Sequence, residues 1–208
     1  MALRFQVLAT IAVIFLLCPS FVLARGGRPE VSCQLRVNEK YDLYDINGKT
    51  ADQLRKEMRQ RGTKWNDGAT YAAETSWDIR YDYDIFHEEG RCSIKSVKTD
   101  VDIVYHLPHM VSSAPDSELT VLWGEFFGHL KRHEFGHKDI AVKAAAEINE
   151  ILTSLGNFSN ESELEREATR RTEEKFCSMK QIQIEYDHKT KHGETQGAVL
   201  RDQCTVLP

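Results

Sequence analysis

Residues 118–155 read ELTVLWGEFFGHLKRHEFGHKDIAVKAAAEINEILTSL, and this stretch decides the fold of the 208-residue chain. Its apolar side chains recur at intervals of three and four, which predicts one long amphipathic helix. Asp116 or Ser117 is expected to cap its start, and Gly156 to end it. Three glycines weaken the helix and predict a kink or a break: Gly124, Gly128 and Gly136.

The N-terminal half has a different period. Apolar and polar side chains alternate across residues 77–85 and again across residues 97–105, as is typical of half-buried strands. Residues 33–46 alternate too and predict a strand or hairpin that ends at the turn Asn47-Gly48. Residues 87–91, which include Gly90, are expected to join the two long strands as a hairpin. This half therefore predicts an antiparallel sheet.

Two further helices are expected beside these elements. Thr50 is a suitable cap for a helix over residues 51–61, which Gly62 would end. After the long helix, a highly charged helix is predicted to begin at Ser159 or Asn160 and to end near Phe176. The tail from residue 186 to 208 is rich in turn-forming residues and has no assigned element. Strands followed by helices indicate an α+β fold.

The first 24 residues are predicted to be a signal peptide. A basic start precedes an apolar run over residues 5–17, which is short for a membrane span, and Val22-Leu23-Ala24 is a suitable cleavage site. Residues 25–208 are then long enough for one domain. We expect the mature protein to be secreted or periplasmic, with no membrane span.

Charge and cysteine content narrow the function classes. The formal net charge is −5, and the basic residues are scattered, so the sequence does not predict a nucleic-acid partner. Four cysteines remain after the predicted cleavage, without a C-x-x-C pair: Cys33, Cys92, Cys177 and Cys204. In an exported protein this even number predicts one or two disulfide bonds, and it leaves three pairings open.

His133-Glu134-Phe135-Gly136-His137 is the motif that carries chemistry. Residues four apart share one helical face, so both imidazoles can bind one Zn²⁺ ion. Glu134 would lie beside the metal as the general base that takes a proton from water. His129 continues the same face, but three such residues cannot easily reach one ion, so His129 is expected to lie outside the ligand set.

The third ligand is left open by the residues themselves. The charged helix offers three glutamates: Glu163, Glu165 and Glu167. The tail offers His188 and His192, where the neighbouring Gly193 and Gly197 allow tight turns. Two other side chains have possible supporting roles, since Asp139 could orient a ligand histidine and Tyr186 could stabilise an oxyanion.

Several motifs together resemble a bacterial family of predicted secreted zinc-dependent proteases, otherwise described as a domain of unknown function. The matching segments are Tyr44-Asp45-Ile46, Thr75-x-Trp77-x-Ile79-x-Tyr81, the strand over 97–101 with Leu107-Pro108, His133-Glu134-x-x-His137-x-Asp139-Ile140-Ala141, and Tyr186-Asp187-x-x-Thr190-x-His192-Gly193-x-Thr195-Gln196-Gly197-Ala198. The resemblance implies a peptidase, and it favours His192 as the third ligand because the family's tail motif has a histidine before glycine.

The sequence thus predicts a zincin-like metallopeptidase that hydrolyses peptide bonds in a peptide or protein substrate, with peptidoglycan cross-links as another substrate class. The predicted metal ligands are His133, His137 and His192, and the predicted base is Glu134. The alternative from another class is a disulfide-stabilised binding module of the cell envelope with a structural or vestigial metal site. Glu134 distinguishes the two, because a structural site needs no general base.

Overall fold

The computed structural model describes residues 14–16, 31–65, 68–111 and 117–202. Most of the predicted signal peptide lies outside these ranges, as does Cys204. The described elements are, in chain order, β1 (Ile14–Leu16), β2 (Ser32–Ile46), α1 (Ala51–Arg61), β3 (Thr63–Lys64), β4 (Thr70–Tyr71), β5 (Glu74–Glu88), β6 (Arg91–Met110), α2 (Ser117–Ser154), α3 (Glu161–Thr190) and a 3-10 turn (Glu194–Gln196).

The large sheet is mixed, with the strand order β1-β2-β6-β5. The predicted hairpin is confirmed, since β5 and β6 pair antiparallel and Glu89 and Gly90 at their turn both have positive φ. The prediction of a wholly antiparallel sheet is wrong, because β2 pairs parallel to β6 from Ser32↔Ser96 to Ile46↔Met110. After β2 the chain passes through α1 and then forms the β5–β6 hairpin. In the sheet, β6 lies between β5 and β2.

Helix α1 has the predicted bounds. The Thr50 side chain accepts a hydrogen bond from the Gln53 backbone N–H, and the Gly62 N–H donates to the Met58 carbonyl oxygen. Leu54 and Met58, one turn apart, are both buried. Local capping chemistry was therefore enough to place this helix.

Helix α2 runs as one helix from Ser117 to Ser154, so the predicted break does not occur. Its apolar stripe packs against one face of the sheet, where Val101, Ile103 and Tyr105 are almost completely buried. A buried hydrogen bond of 2.5 Å from the Thr99 hydroxyl to the Asn149 side chain joins the sheet to this helix. Tertiary packing thus outweighs the cost of the glycines in α2.

Helix α3 begins as predicted and ends much later. The Asn160 side chain caps the first turn through the Glu163 N–H, but the helix continues to Thr190 instead of ending near Phe176. Four buried residues extend its inner face at intervals of three and four: Met179, Gln183, Asp187 and Thr190. Since three of these four are polar, hydrophobic periodicity does not reveal them. Consequently the first five residues of the predicted turn-rich tail are helical.

Three of the four cysteines of the predicted mature chain lie in its described part, and contacts or exposure bear on Cys92 and Cys177 in particular. Cys92 is buried with its thiol 3.8 Å from the Phe158 carbonyl oxygen, and Cys177 is exposed. Neither is bridged to another described cysteine. Because Cys204 lies outside the described residues, the disulfide bonds remain a prediction. Within the described ranges, no helix has both the length and the apolar character needed to cross a membrane.

Candidate metal centre

The two histidines of the motif lie at the contact between α2 and α3. Both are buried, and their Nε2 atoms lie 3.3 Å apart. The Oδ1 atom of Asp187 from α3 lies 3.1 Å from Nε2 of His133 and 3.0 Å from Nε2 of His137. These three side chains form a buried group whose ligand atoms could hold a metal ion.

The spacing of these atoms fits a small tetrahedral ion. Ligands bonded at about 2.0–2.1 Å to a tetrahedral zinc ion lie about 3.3–3.4 Å from one another. The observed triangle has sides of 3.0 to 3.3 Å. Slight outward movement of the side chains would therefore admit an ion, with a fourth position left open.

Two glutamines orient the imidazoles. Nδ1 of His137 lies 2.6 Å from Oε1 of Gln183, whose Nε2 donates to the His137 carbonyl oxygen and so fixes the amide. Nδ1 of His133 lies 3.0 Å from Oε1 of Gln196, whose Nε2 donates to the Tyr186 hydroxyl. Because each Nδ1 faces an acceptor, we assign the proton to Nδ1, which leaves a lone pair on each Nε2.

The electrostatic environment of the three-residue group favours a bound positive charge. Burial raises the pKa of Asp187, but hydrogen bonds with His133 and His137 outweigh burial and hold its pKa well below the usual range. Burial lowers the pKa of His137, but its hydrogen bonds with Asp187 and Gln183 outweigh that effect and raise it overall. Asp187 is therefore a carboxylate, a form suited to bind a cation.

Glu134 lies in the same buried region and lines the same cleft as the histidines. The Thr75 hydroxyl of β5 lies 2.7 Å from Oε2 of Glu134 and 3.1 Å from its backbone carbonyl oxygen. Burial raises the pKa of Glu134, although the hydrogen bond from Thr75 and the two imidazoles act in the opposite direction. The carboxyl is thus held in one position by the sheet.

Tyr186 packs behind the centre. Its ring stacks on His133 with centroids 5.0 Å apart, and its hydroxyl donates to the His133 carbonyl oxygen at 3.2 Å. The hydroxyl therefore faces the backbone of α2, where it orients the histidine, which differs from the oxyanion role considered above. Gly136 makes this approach possible, because a Cβ there would lie 2.9 Å from Cε1 of Tyr186 and closer still to the hydroxyl oxygen.

Replacing Gly136 with Ala is expected to destabilise the protein by about 1–3 kcal/mol, because Tyr186 would have to move out of its place against α2. Gly128→Ala on the same helix is the matched control, since nothing lies within 4 Å of a Cβ there. The control should raise stability by up to about 1 kcal/mol through helix propensity. Denaturant unfolding measures both, and equal stabilities of the two variants would contradict this packing.

His192 lies at the rim of the centre. Lys191, His192 and Gly193 all have positive φ, and this turn brings the chain back across the end of α3. Nδ1 of His192 lies 3.4 Å from Oδ1 of Asp187, and its side chain is 41% exposed. His192 is not part of the buried three-residue group, in which Asp187 joins the two histidines, and its role as a metal ligand remains a prediction.

The other candidates lie elsewhere. Glu167 forms ion pairs with Arg170 and Arg171, and it precedes Asp187 by twenty residues on α3, which is about 30 Å of helix. Glu163 and Glu165 lie further still along the same helix. His188 is exposed, His129 packs against Gly197, and the Asp139 side chain is 72% exposed beside Lys138. None of these residues belongs to the three-residue group.

An open cleft of about 710 Å³ lies above the centre. Its floor is the face of α2 that carries Leu130, His133, Glu134 and His137. One wall is the segment 70–77, which includes the start of β5. The other wall is the end of α3 with the turn that follows it. The cleft therefore connects Glu134 and the three ligand residues with solvent.

The sequence model of a family described as "Bacterial protein of unknown function (DUF922)" matches residues 41–193, which is most of the chain. The chain belongs to this family. No curated protein matches, and no solved structure matches. The DUF922 match includes the histidine motif, Asp187 and His192, and it carries no description of an activity.

Within this DUF922 chain, sequence reasoning found three residues of the centre and missed four. His133, Glu134 and His137 lie together as the motif predicts. The residues that it missed as site members are Thr75, Gln183, Asp187 and Gln196. Three of these four occur in the motifs quoted above, so the signal was present, but a carboxylate or amide within a charged segment is usually solvated.

Proposed function

We propose that the chain is a zinc-dependent metallopeptidase that hydrolyses peptide bonds, with Glu134 as the general base. One observation carries this proposal. The Nε2 atoms of His133 and His137 and the Oδ1 atom of Asp187 converge within 3.3 Å of one another, while each Nδ1 atom faces a glutamine Oε1 atom. With a proton on each Nδ1, the centre presents two imidazole lone pairs and a carboxylate to one buried point, an arrangement that a bound cation stabilises.

The donor set supports zinc. Two imidazoles and one carboxylate oxygen form a three-ligand set of the kind found in catalytic zinc sites, which keep the fourth position open. The same set also occurs around non-heme Fe²⁺. Glu134 favours hydrolysis over oxygen chemistry, because a buried carboxylate held beside the ligands suits proton transfer from water. A structural site, as in the binding-module alternative, would need neither this base nor an open cleft.

The residues divide the chemistry between them. When bound, zinc would act as a Lewis acid that polarises a carbonyl group and makes water more acidic. Glu134 takes a proton from the attacking water and gives it to the leaving amine. Thr75 holds the Glu134 carboxyl, and Gln183 and Gln196 hold the imidazoles in the tautomer that ligation requires.

The edge of the sheet suits a peptide substrate. In the described part of the chain β5 is the last strand of the sheet, and its residues Glu74 to Trp77 line the cleft. An extended peptide could pair with this edge and place one of its carbonyl groups above Glu134. Together with the predicted signal peptide, this supports an enzyme that acts on peptides or proteins outside the cytoplasm.

A peptide-library screen of the purified protein tests this function. We expect cleavage that a zinc chelator such as 1,10-phenanthroline abolishes and that added zinc restores, because removal of the metal removes the Lewis acid. Cleavage that persists after complete removal of the metal would contradict the proposal. A zinc-loaded protein that cleaves no member of the library would favour the binding module.

A further inference from the structure

A row of aromatic rings leads from the surface to the metal centre. Trp65, in the turn between β3 and β4, is 43% exposed and lines the cleft. Its ring meets that of Tyr71 edge-on, with centroids 5.5 Å apart and planes at 67°. Tyr71 in turn contacts His192, with centroids 4.3 Å apart. His192 ends the row 3.4 Å from the Asp187 carboxylate.

The opposite wall of the cleft is also apolar at its mouth. Ile184 of α3 lines the cleft and is 62% exposed. Two large apolar side chains thus remain in contact with water on the two walls of a cleft whose floor is polar. Covering them with an apolar group of a ligand would release ordered water and stabilise the complex.

We propose that Trp65, Tyr71 and His192 form a subsite that selects an aromatic side chain of the substrate. This inference rests on the proposed peptidase function. Two ring-to-ring steps of 5.5 and 4.3 Å separate Trp65 from His192. An extended peptide advances about 3.3 Å per residue, so the selected side chain lies within about three residues of the scissile bond.

The angle between the rings favours an aromatic side chain over a sugar. Trp65 and Tyr71 meet at 67° and form a corner, in which a third ring can make edge-to-face and stacked contacts at once. A sugar ring stacks best on a flat, open aromatic face, which this corner does not provide. Because the row ends beside the metal ligands, the selected group would lie within about three residues of the reacting bond.

Binding to the zinc-loaded Glu134→Gln protein tests the subsite without requiring turnover. The probes are fluorescein-labelled octapeptides of alanine and glycine, in which one phenylalanine is moved through all positions. We expect the best phenylalanine peptide to bind about 10-fold more tightly than the all-alanine and glycine peptide. Adding Trp65→Ala should remove most of this preference, and Trp65→Phe should keep part of it.

Tyr41→Ala is the matched control, because Tyr41 is an exposed aromatic residue (39%) that does not line the cleft. It should leave the phenylalanine preference unchanged. Equal binding of phenylalanine and alanine peptides, or a preference that survives Trp65→Ala, would overturn the subsite. So would tighter binding of N-acetylglucosamine oligomers that is lost in Trp65→Ala. Selective binding without cleavage by the wild-type protein would support the subsite and count against the peptidase.

Discussion

Replacing Glu134 with Gln is expected to lower peptide hydrolysis by about 10²–10⁴-fold while the metal stays bound. Glutamine keeps the shape of the side chain and can still accept a hydrogen bond from Thr75, which lies 2.7 Å from Oε2 of Glu134. It cannot take a proton from water at neutral pH. Steady-state rates on a substrate from the library screen, with metal analysis of the same samples, measure both effects.

Glu150→Gln provides the control for this variant, because Glu150 is an exposed glutamate on the same helix. Its rate should match that of the wild-type protein. If Glu134→Gln retains full activity with the metal in place, Glu134 is not the base. If it loses the metal as well, its role in the centre is structural.

Replacing Asp187 with Asn is expected to weaken zinc binding by more than about 100-fold. The change removes a negative charge and an anionic oxygen from a buried set of three ligands, and a neutral amide is a much poorer zinc ligand. Oδ1 of Asp187 contacts both Nε2 atoms at 3.0 and 3.1 Å, so no other described side chain can take its place without rearrangement. Competition with a chelator of known affinity measures the loss.

Asp139→Asn serves as the control, since this residue is exposed on α2 two positions after His137. It changes the net charge equally and should leave the zinc affinity close to that of the wild-type protein. His192→Ala separates the two ligand assignments. Loss of zinc in His192→Ala, together with tight zinc binding in Asp187→Asn, would restore the three-histidine site that the sequence predicts.

Local sequence determined much of the fold. Alternation located the long strands, and the caps Thr50 and Asn160 located the starts of α1 and α3. The sheet order was beyond such signals, because the pairing of β2 with β6 joins residues 64 apart. A period of two indicates which residues face the core, but it contains no information about the direction of the neighbouring strand.

In the metal centre, too, the sequence predicts the residues that are close together in the chain and not those that are far apart. His133 and His137 could be predicted because one turn of helix brings them together. Their partners Gln183, Asp187 and Gln196 are 46 to 63 residues away in sequence. They reach the histidines because α3 continues to Thr190 and the turn at Lys191–Gly193 then reverses the chain. These residues are polar, so neither periodicity nor composition distinguishes them from solvated side chains.

X-ray diffraction from crystals of the zinc-loaded protein, recorded at the zinc absorption edge, tests the central claim most directly. The predicted result is one strong anomalous peak, about 2.0–2.2 Å from Nε2 of His133, Nε2 of His137 and a carboxylate oxygen of Asp187. A peak bound to His192 in place of Asp187 would contradict the ligand set. Zinc-loaded crystals without a peak between the two histidines would contradict the metal centre itself.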